Sequence, residues 1–326
     1  MKEKLEAALD AVKKACIICT NVRSELVSDA TIQKKDKSPV TVADFGSQAL
    51  ILDFLSKKFP DIPAVGEEDS AELRTEVNQG VLEKIISHVN KIEPSLSKEA
   101  ILSAIDFGNH EGGSTGTFWA LDPIDGTKGF LRNEQYAIAL GLIKDGEVIL
   151  GVLGCPNLPL DLNNPEGEKG SLFYAIKGEG AFSVSLSSNE IKPISVNDIN
   201  DPSIAKFCES VESGHTSHNE SSKIAAELKI ENPSIRMDSQ CKYAAVARGD
   251  AEIYLRLPAQ AGYVEKIWDH AAGAIILEEA GATISDINGK PLDFSQGKTL
   301  KNNIGVVASS RAIHKPIIEA IETVKG

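Results

Sequence analysis

The sequence predicts an α+β unit followed by a smaller α/β unit, and three observations carry that prediction. The first 58 or so residues have mostly helical periodicity. Short apolar runs with a hairpin signal follow between 118 and 185. Beyond about 201, strand-like and helical runs alternate. Residues 3–28 read as one amphipathic helix with Leu5, Leu9, Val12 and Cys16 on a stripe, and 28–37 form a polar stretch. Lys37-Ser-Pro-Val-Thr is expected to be extended at Pro39, with Thr41 and Asp44 opening a second helix that stops before Pro60. A short strand at 62–65 delivers Gly66-Glu67-Glu68-Asp69, and a polar helical insert of roughly 50 residues follows.

Strands are expected at 118–121, 137–143 and 148–153, the last two joined by Lys144-Asp-Gly-Glu, a tight hairpin signal. Residues 156–170 read as a surface loop, with two further strands at 172–175 and 181–185 completing a large antiparallel sheet. We place a boundary near Asp201-Pro202. Residues 1–200 then form the α+β domain and 201–326 the smaller α/β domain, with runs at 204–209, 222–228, 243–247, 253–257 and 270–280.

The composition narrows the function. The 326 residues carry 47 acidic against 34 basic side chains, a formal charge of −13, which argues against a nucleic-acid polymer because a phosphate backbone demands a basic face. The N-terminus shows neither a signal peptide nor a membrane span, so a cytoplasmic protein is expected, with no membrane and no obligate protein partner evident. The five cysteines are odd in number and scattered. Cys16-x-x-Cys19 lies on a helical stripe and reads as core, not as a zinc or redox site.

Three stretches carry chemistry. Trp119-Ala-Leu-Asp122-Pro-Ile-Asp125-Gly-Thr127 ends an apolar strand in two carboxylates on a turn stiffened by Pro123. Two like charges ~4 Å apart repel by roughly 4 kcal/mol at an effective dielectric near 20, so convergent carboxylates are expected to share a cation or a proton. By itself such a turn reads more readily as a solvated loop. Gly126 and Thr127 change that balance, because close backbone approach and the amides of a helix start suit an anion. Oxygen-only ligands favour Mg²⁺ over Zn²⁺. Glu67 and Glu68 follow a strand end, equally the place of a charged surface turn. Asp269, in Trp268-Asp-His270, taken alone reads as a helix N-cap. A P-loop is excluded, since Gly297-Lys-Thr has Leu292 where the first glycine belongs.

Four blocks in order resemble the inositol monophosphatase superfamily of Mg²⁺-dependent, lithium-sensitive phosphatases. They are Lys-Ser-Pro-Val-Thr with Asp44, Val-Gly-Glu67-Glu68, the Asp122 to Thr127 stretch, and Trp268-Asp269-His-Ala-Ala-Gly. The resemblance spans nearly the whole chain. Within it, Asp125-Gly-Thr-Lys-Gly-Phe-Leu-Arg132, Ser239-Gln-Cys-Lys242-Tyr and Tyr254-Leu-Arg256-Leu-Pro resemble the 3′(2′),5′-bisphosphate nucleotidase branch. Simple inositol monophosphatases usually read Asp-Gly-Thr-x-Asn-Phe, so Lys128-Gly129 is a departure.

The resemblance implies a layered αβαβα sandwich of the inositol monophosphatase and fructose-1,6-bisphosphatase type, with the active site between the two domains. It implies that Glu67, Asp122, Asp125, Asp269 and the carbonyl of Ile124 hold two or three Mg²⁺ ions. Thr127, hydrogen-bonded to Asp44, would orient and deprotonate a metal-activated water, and Glu68 would assist through a second water. Thr127, His215, Ser239, Lys242, Arg256 and Asp269 would bind a small bisphosphate substrate, Lys242 and Arg256 supplying positive charge. The implied reaction is removal of the 3′-phosphate from adenosine 3′,5′-bisphosphate to leave AMP, extending to 3′-phosphoadenylyl sulfate and thus to sulfate assimilation. An inositol polyphosphate 1-phosphatase is the alternative, and a non-catalytic metal- or nucleotide-binding regulator a third reading.

Overall fold

The computed structural model describes residues 1–28, 38–211, 218–258 and 262–325. The chain opens with α1 (Lys2–Ser28), α2 (Ser38–Lys58), β1 (Ala64–Gly66), α3 (Gln79–Asn90), α4 (Lys98–Asp106) and β2 (Thr117–Asp125). Next come α5 (Thr127–Arg132), β3 (Ala137–Lys144), β4 (Glu147–Pro159), β5 (Lys169–Ile176), β6 (Ala181–Ser185) and β7 (Ile191–Ile194). The remainder supplies β8 (Phe207–Glu209), α6 (His218–Glu227), β9 (Ile235–Arg236), α7 (Cys241–Arg248), β10 (Ile253–Arg256) and α8 (Ala271–Glu279). Strands β11 (Ala282–Ser285) and β12 (Val306–Ser310) precede α9 (Arg311–Lys325).

Two sheets result. The larger has seven strands in chain order, β1 to β7, antiparallel throughout except for the β1–β2 pair. The smaller is mixed, in the order β11-β12-β10-β8-β9. Central strands read as continuous apolar runs because both faces are covered, so successive residues enter different cores. On β2, Trp119 and Leu121 pack under α1 and α2, whereas Phe118 and Ala120 face α7 and α8. On β12, Val306 and Ala308 join the α7/α8 core while Val307 faces α6 and α9. The layers therefore run helices, sheet, helices, sheet, helices, an αβαβα sandwich.

The middle layer is tight. Helix α8 packs on β3, β4 and β5 of the larger sheet and on β11 of the smaller. A Cβ on Gly151 would lie 2.6 Å from Ile275 Cγ2 and 2.7 Å from the Ala272 carbonyl, so bare backbone is what lets the helix settle there.

Three elements differ from expectation. Pro39 does not hold the chain extended but sits in the first turn of α2, where its missing N–H costs nothing. Asp122 and Asp125 do not lie on a turn beyond the strand, because β2 continues through them as a bulge. Strand β4 runs on to Pro159, through residues read as loop. The five cysteines are free and buried. No helix among the described residues is long and apolar enough to cross a membrane.

Candidate active site

The carboxylates converge because of strand register. Gly66 on β1 pairs with Leu121 on the parallel β2, so the next residues, Glu67 and Asp122, emerge side by side where the pair ends. On the other edge of β2, Asp122 stands opposite Ala139 and Asp125 opposite Ala137, four residues against three. The bulge absorbs the extra residue and lets both acids reach one cleft, a site for which bulges are well suited. That cleft, of ≈ 220 Å³, is floored by Glu67, Asp122, Ile124, Asp125 and Asp269. Ser239, Lys242 and Arg256 form its wall, and Thr127 and Lys128 belong to its lining at the start of α5.

The floor is electrostatically unfavourable as bare protein. Asp122 is buried, its Oδ1 has no hydrogen-bond partner, and burial together with Glu67, Asp125, Asp269 and Asp44 holds its carboxyl well above the usual range. Burial and then Glu68 push Glu67 up to about 7, against a lowering hydrogen bond with Asp122. Asp269 also rises to about 7 through burial, although the Arg256 charge pulls the other way. An all-oxygen set of mutually repelling carboxylates, one oxygen buried and unpartnered, fits a hard divalent cation. The geometric cluster of Glu265, Asp269 and His270 does not. There Glu265 already accepts from His270 Nε2 at 3.1 Å and from Arg256 at 2.8 and 2.9 Å, so the guanidinium occupies the place a metal would need.

Asp44 lies buried on α2, outside the cleft lining, its carboxyl raised well up by burial, Glu68 and Glu67. Thr127 is exposed at the first position of α5, and the expected hydrogen bond between it and Asp44 is not formed. Glu68, raised to about 6 by burial and by Asp69 and Glu72, also sits behind the cleft. The wall carries less free positive charge than the sequence suggests. Arg256 is committed to Glu265 and approaches Asp269 at 3.5 Å. Lys242 is buried, its Nζ donating to the Met237 carbonyl at 3.3 Å above the Tyr254 ring, and burial lowers its pKa against the pull of Asp125. Asp269 does not cap α8; His270 holds that position. His215 lies outside the described residues.

Several supporting residues escaped the sequence reading. Gln48, fully buried on α2, donates to the carbonyls of Glu68 (2.6 Å) and Ile105 (3.0 Å) and accepts from the Glu68 amide (3.1 Å). It thus pins the backbone that carries Glu67. Gln48→Ala would strand these buried groups and is expected to destabilise the protein by about 2–4 kcal/mol, read by chemical denaturation. Gln240, whose amide donates to Asp125 Oδ2 at 2.6 Å, bonds through its side chain to the Trp268 carbonyl and the Gly273 amide. Glu265 is drawn down to about 2 despite burial, by the His270 hydrogen bond and the Arg256 charge, and Tyr243 Oη sits 2.6 Å from His270 Nδ1. Gly126, Ser210, Asp238 and Tyr263 complete the lining. Gln240 stood inside the quoted Ser-Gln-x-Lys motif, and Glu265 lies four residues before Asp269, a spacing that by itself signals nothing.

A model of the inositol monophosphatase family matches residues 1–325. A 3′(2′),5′-bisphosphate nucleotidase of Schizosaccharomyces pombe is 43% identical over 334 residues, covering 98% of this chain and 95% of that protein. One from Oryza sativa is 45% identical over 335 residues, covering 98% and 93%. Among solved structures, the inositol monophosphatase of Anabaena superposes with a TM-score of 0.62 at 20% identity over 99% of this chain and 96% of its own. Inositol monophosphatase II from Staphylococcus aureus gives 0.64 at 19%, over 98% and 94%. These last two likenesses concern the fold.

Proposed function

The chain belongs to the inositol monophosphatase family, and on that premise we propose that it hydrolyses the 3′-phosphate of adenosine 3′,5′-bisphosphate to give AMP and phosphate. 3′-Phosphoadenylyl sulfate is a second substrate in this reading. The observation that carries it is that one cleft sets a floor with four carboxylates against the Ser239–Lys242–Arg256 wall. One end suits a metal-assisted phosphate and the other a second anionic group. Near-full-length identity of 43–45% to nucleotidases supports the same substrate class.

The family's chemistry is Mg²⁺-dependent, and Glu67, Asp122, Asp125, Asp269 and the Ile124 carbonyl are the groups that would hold two or three ions. Bound there, Mg²⁺ supplies positive charge to offset the phosphoryl oxygens and acidity to a water. Thr127 orients that water with its hydroxyl. Asp44 would take the proton once its carboxyl and the Thr127 hydroxyl come within hydrogen-bond reach and bound cations offset the burial that raises its pKa. Glu68, also raised, assists through water. Ser239, Lys242, Arg256 and His215 bind the nucleotide, Asp269 contacts it from the floor, and no side chain is phosphorylated. We place the catalytic carboxylates in a domain of residues 1–200, with Asp269 and the nucleotide wall in 201–326, and the enzyme in the cytoplasm.

Phosphate release with Mg²⁺ from adenosine 3′,5′-bisphosphate and inositol 1,4-bisphosphate side by side tests the assignment, with 5′-AMP and inositol 1-phosphate as controls. Fast release from the nucleotide with 5′-AMP left intact is expected, and Li⁺ should inhibit it. Preference for the inositol bisphosphate would keep the floor and discard the nucleotide wall.

A further inference from the structure

We propose that Arg132 and Asp238 form a latch across the cleft that positions Ser239 and thereby sets the preference for a substrate bearing a second phosphate. The inference rests on the nucleotidase reading above and deepens it. Arg132 ends α5, seven residues after Asp125, and its Nη2 is ion-paired with Asp238, whose side chain is only 4% exposed. Arg132 Nε meanwhile holds Glu134 at 2.5 Å, which fixes the guanidinium from the other side. A buried carboxylate paired with a guanidinium is stable where it stands, and removing that partner is costly.

The latch has a second strand of attachment. Directly after Ser239, the Gln240 amide donates to Asp125 Oδ2 at 2.6 Å. Between these two ties Ser239 adopts φ +67°, the left-handed region that a serine seldom occupies. Such a conformation persists where its surroundings over-determine it, and such places gather at binding sites. The surroundings here are complementary to the point of contact. A Cβ on Gly126 would sit 2.8 Å from Ser239 Cβ, and one on Gly129 3.0 Å from Asp238 Oδ2. The bare backbone of α5 and its entry is therefore what admits the 238–240 segment, and Lys242 follows in the first turn of α7.

Floor and wall are thus joined at a fixed separation by two short ties, and the substrate's two phosphates must span that separation. Loosening the latch should leave the reacting phosphate where the floor holds it and release the grip on the other. Arg132 and Asp238 act through Ser239 and Lys242 and are positioning residues, not catalytic ones.

The test measures kcat and KM for adenosine 3′,5′-bisphosphate and for 3′-AMP, which lacks the second phosphate, in the parent, Arg132→Ala, Asp238→Asn and the double variant. Each single change is expected to raise KM for the bisphosphate by at least about tenfold, with kcat and the 3′-AMP constants for Arg132→Ala within about threefold. The double variant should be no worse than either single one, because both remove the same tie. Arg132→Lys serves if Arg132→Ala does not fold, and should lie between it and the parent. An unchanged preference in the variants, an equal loss on both substrates, or effects that multiply in the double variant would each overturn the latch alone. A parent enzyme indifferent to the second phosphate would overturn the nucleotidase reading, and the latch with it.

Discussion

Asp122→Asn is expected to abolish most turnover, lowering kcat on the order of 10³-fold, while making the metal-free protein harder to unfold at pH 8. The two effects have one cause. Asp122 is buried among Glu67, Asp125, Asp269 and Asp44, so its negative charge is useful only when a cation shares it. Asparagine keeps the shape and removes the charge, and with it the ligand that the proposed cation would need. The sign of the pH dependence follows from the raised carboxyls. Glu67 and Asp269, each near 7, and Glu68 near 6 bind protons more readily folded than unfolded. Their contribution to stability is full below the unfolded value near 4 and is lost as pH rises through about 7. In chelator, the parent should therefore resist denaturant better at pH 5 than at pH 8, and Mg²⁺ should restore stability at pH 8. Denaturation curves with and without Mg²⁺ at both pH values decide this. An Asp122→Asn protein that is weaker than the parent in chelator at pH 8, or that turns over normally, would remove the cation from the account.

Gly129→Asn is expected to cost about 3 kcal/mol or more. Any Cβ at 129 would stand 2.0 Å from the Gln135 carbonyl, which belongs to backbone and cannot swing aside. The same Cβ presses on Asp238. Simple inositol monophosphatases usually carry asparagine at the corresponding place, so this position distinguishes two ways of closing the segment after the Asp-Gly-Thr motif. A midpoint in urea within about 0.3 kcal/mol of the parent after conversion with the slope would show that the 133–136 segment yields.

Many of the helices and strands could be anticipated because their signals are local, whereas the layering was implied by the family resemblance. The helical stripe of α1, the Lys144-Asp-Gly-Glu hairpin and the alternation beyond 201 each need only neighbouring residues. The order of the smaller sheet could not be, because β8, β9 and β10 are short and their pairing is fixed by non-local packing. Floor residues were legible as motifs, since their spacing is dictated by a strand end and a bulge. Gln48, Gln240 and Glu265 were not. Each is recognisable only once distant segments meet, Gln48 with Glu68 and Ile105, Gln240 with Asp125 and Gly273, and Glu265 with Arg256 and His270. Arg256 shows the converse. It lines the cleft, yet its charge is largely spoken for by a neighbour that no spacing rule reveals.

Helix α8 is wedged between the sheets, bonded at its start to Gln240 and packed on bare glycine backbone of β4. A clamshell opening about a hinge would have to tear that helix from one sheet or the other. The cleft is therefore a socket and not a jaw. A nucleotide entering it surrenders its own freedom while the protein surrenders little, so tighter binding is to be sought by stiffening the ligand and not the enzyme.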